Sequence, residues 1–236
     1  MQHKKIILIF LVLFTLFSCK KENKTIIKPN KKVETKIKSP KITVIDTDFS
    51  KGRLDLQHEI TLQDIEKFHG HLCDGLVVGF LGIHQGLKAL YPNGIVDRTN
   101  TRIVSKSSPC LTDVAVYVTG GRFQFNTFYV DNAIENGFYI IQRIDNGKTV
   151  KVAMNSGVKP AEINILGKKA IQRELPACDL DKLKRLEDNF SKKLLSEDPK
   201  NNFTVTEIKD FKWQPILKND YLKTDILNKD AKKCNQ

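Results

Sequence analysis

The residues best suited to chemistry in this chain are His69-Gly70-His71-Leu72-Cys73, which place two imidazoles and a thiol within five positions. Imidazole nitrogen and thiolate sulfur are the ligands that zinc prefers in proteins. In an extended segment, alternate side chains point to one side, so His69, His71 and Cys73 could converge on one ion. Residues two apart on a regular helix do not face each other. The segment must therefore be extended or bent, and Gly70 has the backbone freedom for a bend.

A second thiol, Cys110, follows Ser108-Pro109 at the start of a predicted short helix. Backbone N–H groups and the helix dipole lower the pKa of a thiol at such a position and favour the thiolate that binds metals. Cys73 precedes a predicted helix in the same way. Asp113, three residues after Cys110, is placed to orient a ligand or to hold a water. The candidate metal ligands are His69, His71, Cys73 and Cys110, with His71 and Cys73 as the favoured pair.

Other interpretations of these cysteines stay open at this point. Cys73 and Cys110 could form a disulfide or cycle as a dithiol, which an oxidising compartment permits. Each could also be a small buried apolar side chain. Cys178 and Cys234 have no neighbouring histidine and are interpreted as structural or incidental.

Two predicted helices flank the first cluster. Thr61 as N-cap, with Asp64 three residues later, predicts a capping box and a helix over Thr61–Phe68. Apolar residues at spacings of three and four predict a longer helix over Gly75–Leu90, which ends at Pro92-Asn93-Gly94.

The longer predicted helix contains a stripe of glycines. Gly75, Gly79, Gly82 and Gly86 are spaced by four, three and four residues. An interior glycine costs about 1 kcal/mol relative to alanine, so the stripe needs a packing reason. Close approach to a sheet or to another helix is the simpler one, and a homodimer through this helix is the alternative.

The rest of the domain combines strands with two further helical regions. Predicted strands cover Arg102–Ser107, Arg122–Val130, Phe138–Asp145, Lys148–Met154 and Phe203–Ile208, with a hairpin at Asn146-Gly147. Helices are predicted from Ser108 to Thr119 and over Lys168–Leu195, with a break at Pro176. This order predicts an α+β fold, in which a helix, a strand, a helix and three strands form a mixed sheet packed by helices.

The N-terminus has the pattern of a bacterial lipoprotein signal peptide over residues 1–19. Two lysines precede an apolar run at 6–14, and Leu-Phe-Ser-Cys at 16–19 resembles a lipobox. The apolar run is too short to span a bilayer, which takes about 20 residues. We expect cleavage before Cys19 and its acylation. The predicted location is the bacterial cell envelope, with a lipid anchor in the membrane and the protein facing the periplasm or the cell surface.

A basic segment follows the signal peptide. Residues 20–53 contain eleven Lys or Arg and four Asp or Glu, which predicts a flexible tether close to anionic headgroups. Most of the formal charge of +12 lies before residue 54, so the folded part is nearly neutral and no nucleic-acid partner is expected. The predicted domain covers residues 54–216, and residues 217–236 form a polar C-terminal tail.

Two motifs give the chain a family resemblance. The sequence FHGHLCDG at 68–75, followed by Gly79, resembles the signature of the FmdE family of formylmethanofuran dehydrogenase subunits. CLTDV at 110–114, with Thr119-Gly120 at the helix end, resembles the second motif of that family. Phe203-Thr204-Val205 resembles its closing strand. The resemblance extends from about Leu54 to Trp213.

The resemblance implies a fold and a metal. Members have a mixed-sheet core related to the catalytic domain of glyceraldehyde-3-phosphate dehydrogenase. They hold a metal, most often zinc, near the positions of His71, Cys73 and Cys110, with His69 beside them. The family takes its name from one component of a cytoplasmic tungsten or molybdenum enzyme, a role that a lipoprotein signal does not suit.

The predicted function is a membrane-anchored, extracytoplasmic metal-binding protein with an unknown small ligand. Two alternatives remain. One is an enzyme with an open metal coordination position or with Cys73 as nucleophile, and the other is a dithiol redox protein. The sequence assigns no catalytic residue.

Overall fold

A computed structural model describes residues 39–214, 223 and 226–234. The predicted signal peptide with Cys19 and the tether up to residue 38 lie outside the described residues, as do parts of the predicted tail. The described helices are α1 (Leu62–His69), α2 (Asp74–Leu90), α3 (Pro109–Thr119), α4 (Ala161–Ile171) and α5 (Ala177–Ser196). The described strands are β1 (Ile42–Thr47), β2 (Leu54–Ile60), β3 (Ile95–Asp97), β4 (Thr101–Ser105), β5 (Phe128–Val130), β6 (Tyr139–Arg143), β7 (Thr149–Met154) and β8 (Phe203–Ile208). Within these ranges, no helix has both the length and the apolar character needed to cross a membrane.

The strands form two mixed sheets. In the smaller sheet, with order β2-β1-β3, β1 is antiparallel to β2 and parallel to β3. In the larger sheet, with order β5-β4-β6-β7-β8, only the β4 and β5 pair is parallel. The predicted α+β class is confirmed. The predicted order of helix, strand, helix and three strands runs from α2 to β7, with β3 as an additional short strand.

Helix α2 lies at the centre of the core. It contacts α3, α5 and the face of the larger sheet formed by β6, β7 and β8. Its predicted apolar stripe is buried throughout, from Leu76 at its start to Leu90 at its end. The capping box that begins α1 is also confirmed, since the Asp64 carboxylate accepts from the Thr61 N–H at 2.9 Å. The start of α1, which leads into the first cluster, is therefore fixed by its cap.

The glycine stripe of α2 lets this helix approach the larger sheet. A Cβ atom at Gly82 would lie 2.5 Å from the Phe138 ring, and one at Gly86 would lie 2.7 Å from Val152 and from Ile141. Real Cβ atoms do not come this close to other side chains, so glycine is required for this packing. The close approach predicted from the stripe is thus made inside the chain, and a homodimer through this helix stays a prediction.

The predicted flexible tether over 20–53 is wrong at its C-terminal end. Residues 42–47 form β1, and Val44 in this strand is fully buried. The charged side chains around this short strand hide its apolar alternation, and the strand is stabilised by pairing with β2 and β3, which lie later in the chain. The described domain therefore begins before residue 54.

Two other boundaries differ from the predictions. The predicted strand over Arg122–Val130 is a strand only in β5, because Phe123–Phe125 form a 3-10 turn that ends at Asn126 with φ 52°. Part of the predicted tail packs on the domain. The backbone N–H of Leu54 donates to the Lys229 carbonyl at 3.0 Å.

Substituting Gly86→Ala tests the helix–sheet packing. The added methyl would overlap Val152 and Ile141, and overpacking of this kind costs about 1–3 kcal/mol. That penalty exceeds the gain in helix propensity of about 1 kcal/mol. We expect a lower free energy of unfolding, measured by chemical denaturation.

Gly167→Ala in α4 is the matched control. A Cβ atom at Gly167 meets nothing within 4 Å, so only the propensity gain applies. We expect this variant to be more stable by about 0.5–1 kcal/mol. Equal effects of the two substitutions would contradict the packing argument.

Candidate metal centre

The first cluster of the sequence forms the junction between α1 and α2. His69 is the last residue of α1, and Gly70 ends this helix with a left-handed φ of 100°. Cys73 is the N-cap of α2, where its thiol sulfur accepts from the Leu76 N–H at 3.3 Å. The bend predicted at Gly70 is present, and it brings the side chains of His69 and Cys73 towards each other.

Helix α3 supplies the second thiol. Ser108 is its N-cap and Pro109 its first residue, which places Cys110 in the first turn. The buried Tyr139 hydroxyl of β6 donates to the Leu111 carbonyl at 2.7 Å and so fixes this turn against the sheet. A Cβ atom at Gly75 would lie 2.9 Å from the Cys110 sulfur. Glycine at this position of α2 is therefore what allows α3 to come so close.

Three donor atoms converge at this point. One ligand atom from each of His69, Cys73 and Cys110 lies within 4.8 Å of the others. The Cys73 and Cys110 sulfurs are 3.3 Å apart, and the Cys73 sulfur is 3.9 Å from His69 Nε2. Two sulfurs bound to one tetrahedral zinc ion are about 3.8 Å apart. The donor types and spacings therefore fit a transition-metal ion.

Asp113 orients the imidazole of His69. Its Oδ2 lies 2.7 Å from His69 Nδ1, and the His69 side chain is only 7% exposed. A carboxylate can only accept, so His69 Nδ1 donates to Asp113, and Nε2 is the ring nitrogen that faces Cys73. The hydrogen bond to Asp113 raises the pKa of His69. Asp113 thus contacts a candidate ligand, and its predicted role beside a bound metal stays a prediction.

His71 lies outside this group. It is exposed in the turn after Gly70, with its ring centroid 4.8 Å from that of His69. The predicted extended HxHxC segment would align both histidines with Cys73, and the family resemblance is what gives His71 precedence over His69. The chain instead reverses at Gly70, so the histidine at the end of α1 meets the thiols and the histidine in the turn faces solvent.

The two thiols share a hydrogen bond that makes them unequal. Donation from Cys73 stabilises a thiolate on Cys110 and lowers the pKa of Cys110 to about 7. The same bond, together with burial, raises the pKa of Cys73. Cys110 is therefore the more acidic of the two thiols.

Asp74 and Lys159 form an ion pair beside the thiols that the sequence analysis did not predict. The buried Asp74 carboxylate is 2.7 Å from the Lys159 ammonium, which comes from the loop before α4. The negative charge of Asp74 acts against thiolate formation and raises the pKa of Cys110, more weakly than the Cys73 hydrogen bond lowers it. No local pattern connects these two residues, because only the fold brings them together.

The other described cysteines and two surface cavities lie away from the three donors. Cys178 and Cys234 are exposed, and neither belongs to the donor group. Cavities of about 710 and 460 Å³ are lined by other residues, including Trp213 in the first and Arg98 in the second. Neither His69 nor the two thiols line either cavity.

These observations define an α+β domain with a His-Cys-Cys group that could hold a metal ion. Residues 68–204, more than half of the chain, match the family described as FmdE, molybdenum formylmethanofuran dehydrogenase operon. The chain belongs to the FmdE family. The match starts at Phe68 in the first motif and ends in β8, so it is narrower than the predicted extent from Leu54 to Trp213. No curated protein matches the chain.

The shared hydrogen bond between the thiols predicts a pH-dependent reactivity. In the reduced, metal-free protein, alkylation of Cys110 by iodoacetamide should reach half its maximal rate at about pH 7. Cys73→Ala removes the S–H donor, so the midpoint should rise towards the ordinary thiol pKa of about 8.5. Peptide mass spectrometry of quenched samples measures both rates. Cys178→Ala is the control, and a midpoint that Cys73→Ala leaves unchanged would refute the assignment.

Proposed function

We propose that this FmdE-family domain binds one transition-metal ion, with zinc as the first choice, through His69, Cys73 and Cys110. The observation that carries the proposal is the convergence of one imidazole nitrogen and two sulfurs within 4.8 Å of one another. Thiolate and imidazole ligands suit zinc, whereas magnesium and calcium take oxygen ligands.

The surroundings of the three donors support this role. The Asp113 carboxylate fixes the tautomer and the orientation of the His69 ring, as partners of metal-bound histidines do. The hydrogen bond with Cys73 lowers the pKa of Cys110, which favours the thiolate form that binds a metal. Cys73 and Cys110 are half-buried residues, not fully enclosed in the core.

An enzymatic role is the second candidate, and the number of converging donors favours it. Among the described residues, the group contains three donors, and structural zinc sites have four protein ligands. A metal held by three protein ligands supplies a Lewis acid with one remaining coordination position. The exposed His71 is the alternative fourth ligand, which would close the site.

The location proposed for the protein is the bacterial cell envelope. The lipobox-like sequence ending at Cys19 and the basic residues that follow it support a lipid anchor in a membrane and a domain that faces the periplasm or the cell surface. The metal centre would then serve metal handling or an unidentified small ligand outside the cytoplasm.

Zinc binding by purified variants tests the metal proposal. The reduced full-length protein should bind one equivalent of zinc, quantified by mass spectrometry of the metal after gel filtration. His69→Ala should lower the zinc affinity by more than about 100-fold, because even loss of a ligand's hydrogen-bond partner lowers metal affinity by about 10–100-fold. For Asp113→Asn, we expect a loss of zinc affinity within this range of about 10–100-fold. If the reduced protein binds no transition metal, the proposal is wrong.

His71→Ala is the matched control for His69→Ala and also tests the open position. The exposed ring lies outside the donor group, so we expect near wild-type zinc affinity. A loss as large as that of His69→Ala would instead identify a closed site with four protein ligands and would argue against the enzymatic candidate.

Fatty-acid labelling tests the proposed anchor. In a bacterium with a lipoprotein pathway, the wild-type protein should incorporate labelled palmitate, and Cys19→Ala should not, because the acylated thiol is missing. Cys178→Ala should be labelled as the wild type is. Absence of label in the wild type, or equal label in Cys19→Ala, would rule out acylation at this residue.

A further inference from the structure

We infer that the centre is also redox-sensitive, because a disulfide between Cys73 and Cys110 and a bound metal exclude each other. The exclusion rests on the proposed metal binding, whereas the disulfide itself does not depend on it. The site would therefore exist in two states, a reduced state that binds metal and an oxidised state that does not.

The two thiols are placed for a disulfide. Their sulfurs are 3.3 Å apart, and both residues are free cysteines. A disulfide bond is about 2.0 Å long, so the sulfurs must approach by about a further 1.3 Å. Cys73 precedes the first turn of α2 and Cys110 lies in the first turn of α3, at the place where Gly75 allows the two helices to meet. The close approach is therefore a property of the fold.

Neither cysteine residue is enclosed in the core. Cys73 and Cys110 are partly exposed, whereas structural cysteines deep in a core do not react. Cys178 and Cys234 are exposed as well, but they lie on α5 and close to the C-terminus. These two cysteines can be replaced without touching the candidate centre, which makes the inference testable.

Metal binding and oxidation compete for the same electron pairs. The thiolate is the form that binds a metal, and a disulfide removes both thiolates at once. Of the three donors, only the His69 imidazole would then remain. Conversely, a metal that engages both sulfurs leaves neither of them free to attack an oxidant. Each state therefore blocks formation of the other.

The oxidation step balances with a small-molecule disulfide as oxidant. One cysteine attacks a sulfur of that disulfide as its thiolate and releases one small thiolate, which leaves a mixed disulfide. The second cysteine loses its proton to solvent and attacks the mixed disulfide, which releases the second small thiolate. The two cysteine sulfurs lose two electrons in total, and the small disulfide is reduced to two thiols.

The test uses the full-length chain with Cys19→Ser, Cys178→Ser and Cys234→Ser, in which only Cys73 and Cys110 remain. The reduced protein is freed of metal with a chelator and incubated with glutathione disulfide. We expect a product that is lighter by two hydrogens, carries no glutathione and has no free thiols. This product should not bind zinc until it is reduced. Prior loading with zinc should slow its formation by at least about tenfold, because only the zinc-free fraction reacts.

His69→Ala in the same background is the control. This variant keeps both thiols, so the disulfide should form as in the parent protein. Prior addition of zinc should no longer slow the oxidation of the two thiols. If the metal-free parent keeps its thiols or stops at a glutathione adduct, the inference is overturned even where zinc binds. Undiminished zinc binding by the oxidised protein overturns it too. If the reduced protein binds no zinc while the disulfide forms, the metal proposal fails and the exclusion fails with it.

Discussion

Cys110 of α3 lies against Gly75 of α2, where any side chain larger than hydrogen would displace its sulfur. The rest of the site depends on this contact. It brings the starts of two helices together, and the thiol at each start comes within 3.3 Å of the other. In the N-terminal turn of α2, the Leu76 N–H donates to the Cys73 sulfur. Helix packing alone therefore sets the positions of the two thiols.

The glycines further along α2 hold that packing in place. At Gly82 and Gly86 the helix backbone rests on side chains of the larger sheet, and Tyr139 of the same sheet fixes the first turn of α3 through the Leu111 carbonyl. A stripe that weakens the isolated helix thus fixes its position on the sheet. The third donor comes from α1, where Gly70 reverses the chain and Asp113 of α3 holds the His69 ring. One family motif supplies the junction and the other supplies α3.

The predictions succeeded where the signal is local. Caps, apolar spacing and the Asn146-Gly147 turn identify α1, α2, α3 and the β6–β7 hairpin, because each of these signals acts within a few residues. They failed where structure depends on distant partners. Strand β1 lies within a charged segment and forms by pairing with β2 and β3. The choice between His69 and His71 depends on the direction of the turn at Gly70, and the Asp74–Lys159 pair exists only after folding. The thiols and Asp113 could be found from sequence, whereas their mutual geometry could not.

Zinc-edge X-ray absorption spectroscopy of the zinc-loaded, reduced protein tests the central claim most directly, because it counts the ligands around the ion by type. The account predicts two sulfur neighbours at about 2.3 Å, together with an imidazole nitrogen at about 2.0–2.1 Å. Replacement of Cys110 by serine should remove one of the two sulfurs. A spectrum with only nitrogen and oxygen neighbours, or one that Cys110→Ser leaves unchanged, would contradict the assignment of the metal to His69, Cys73 and Cys110.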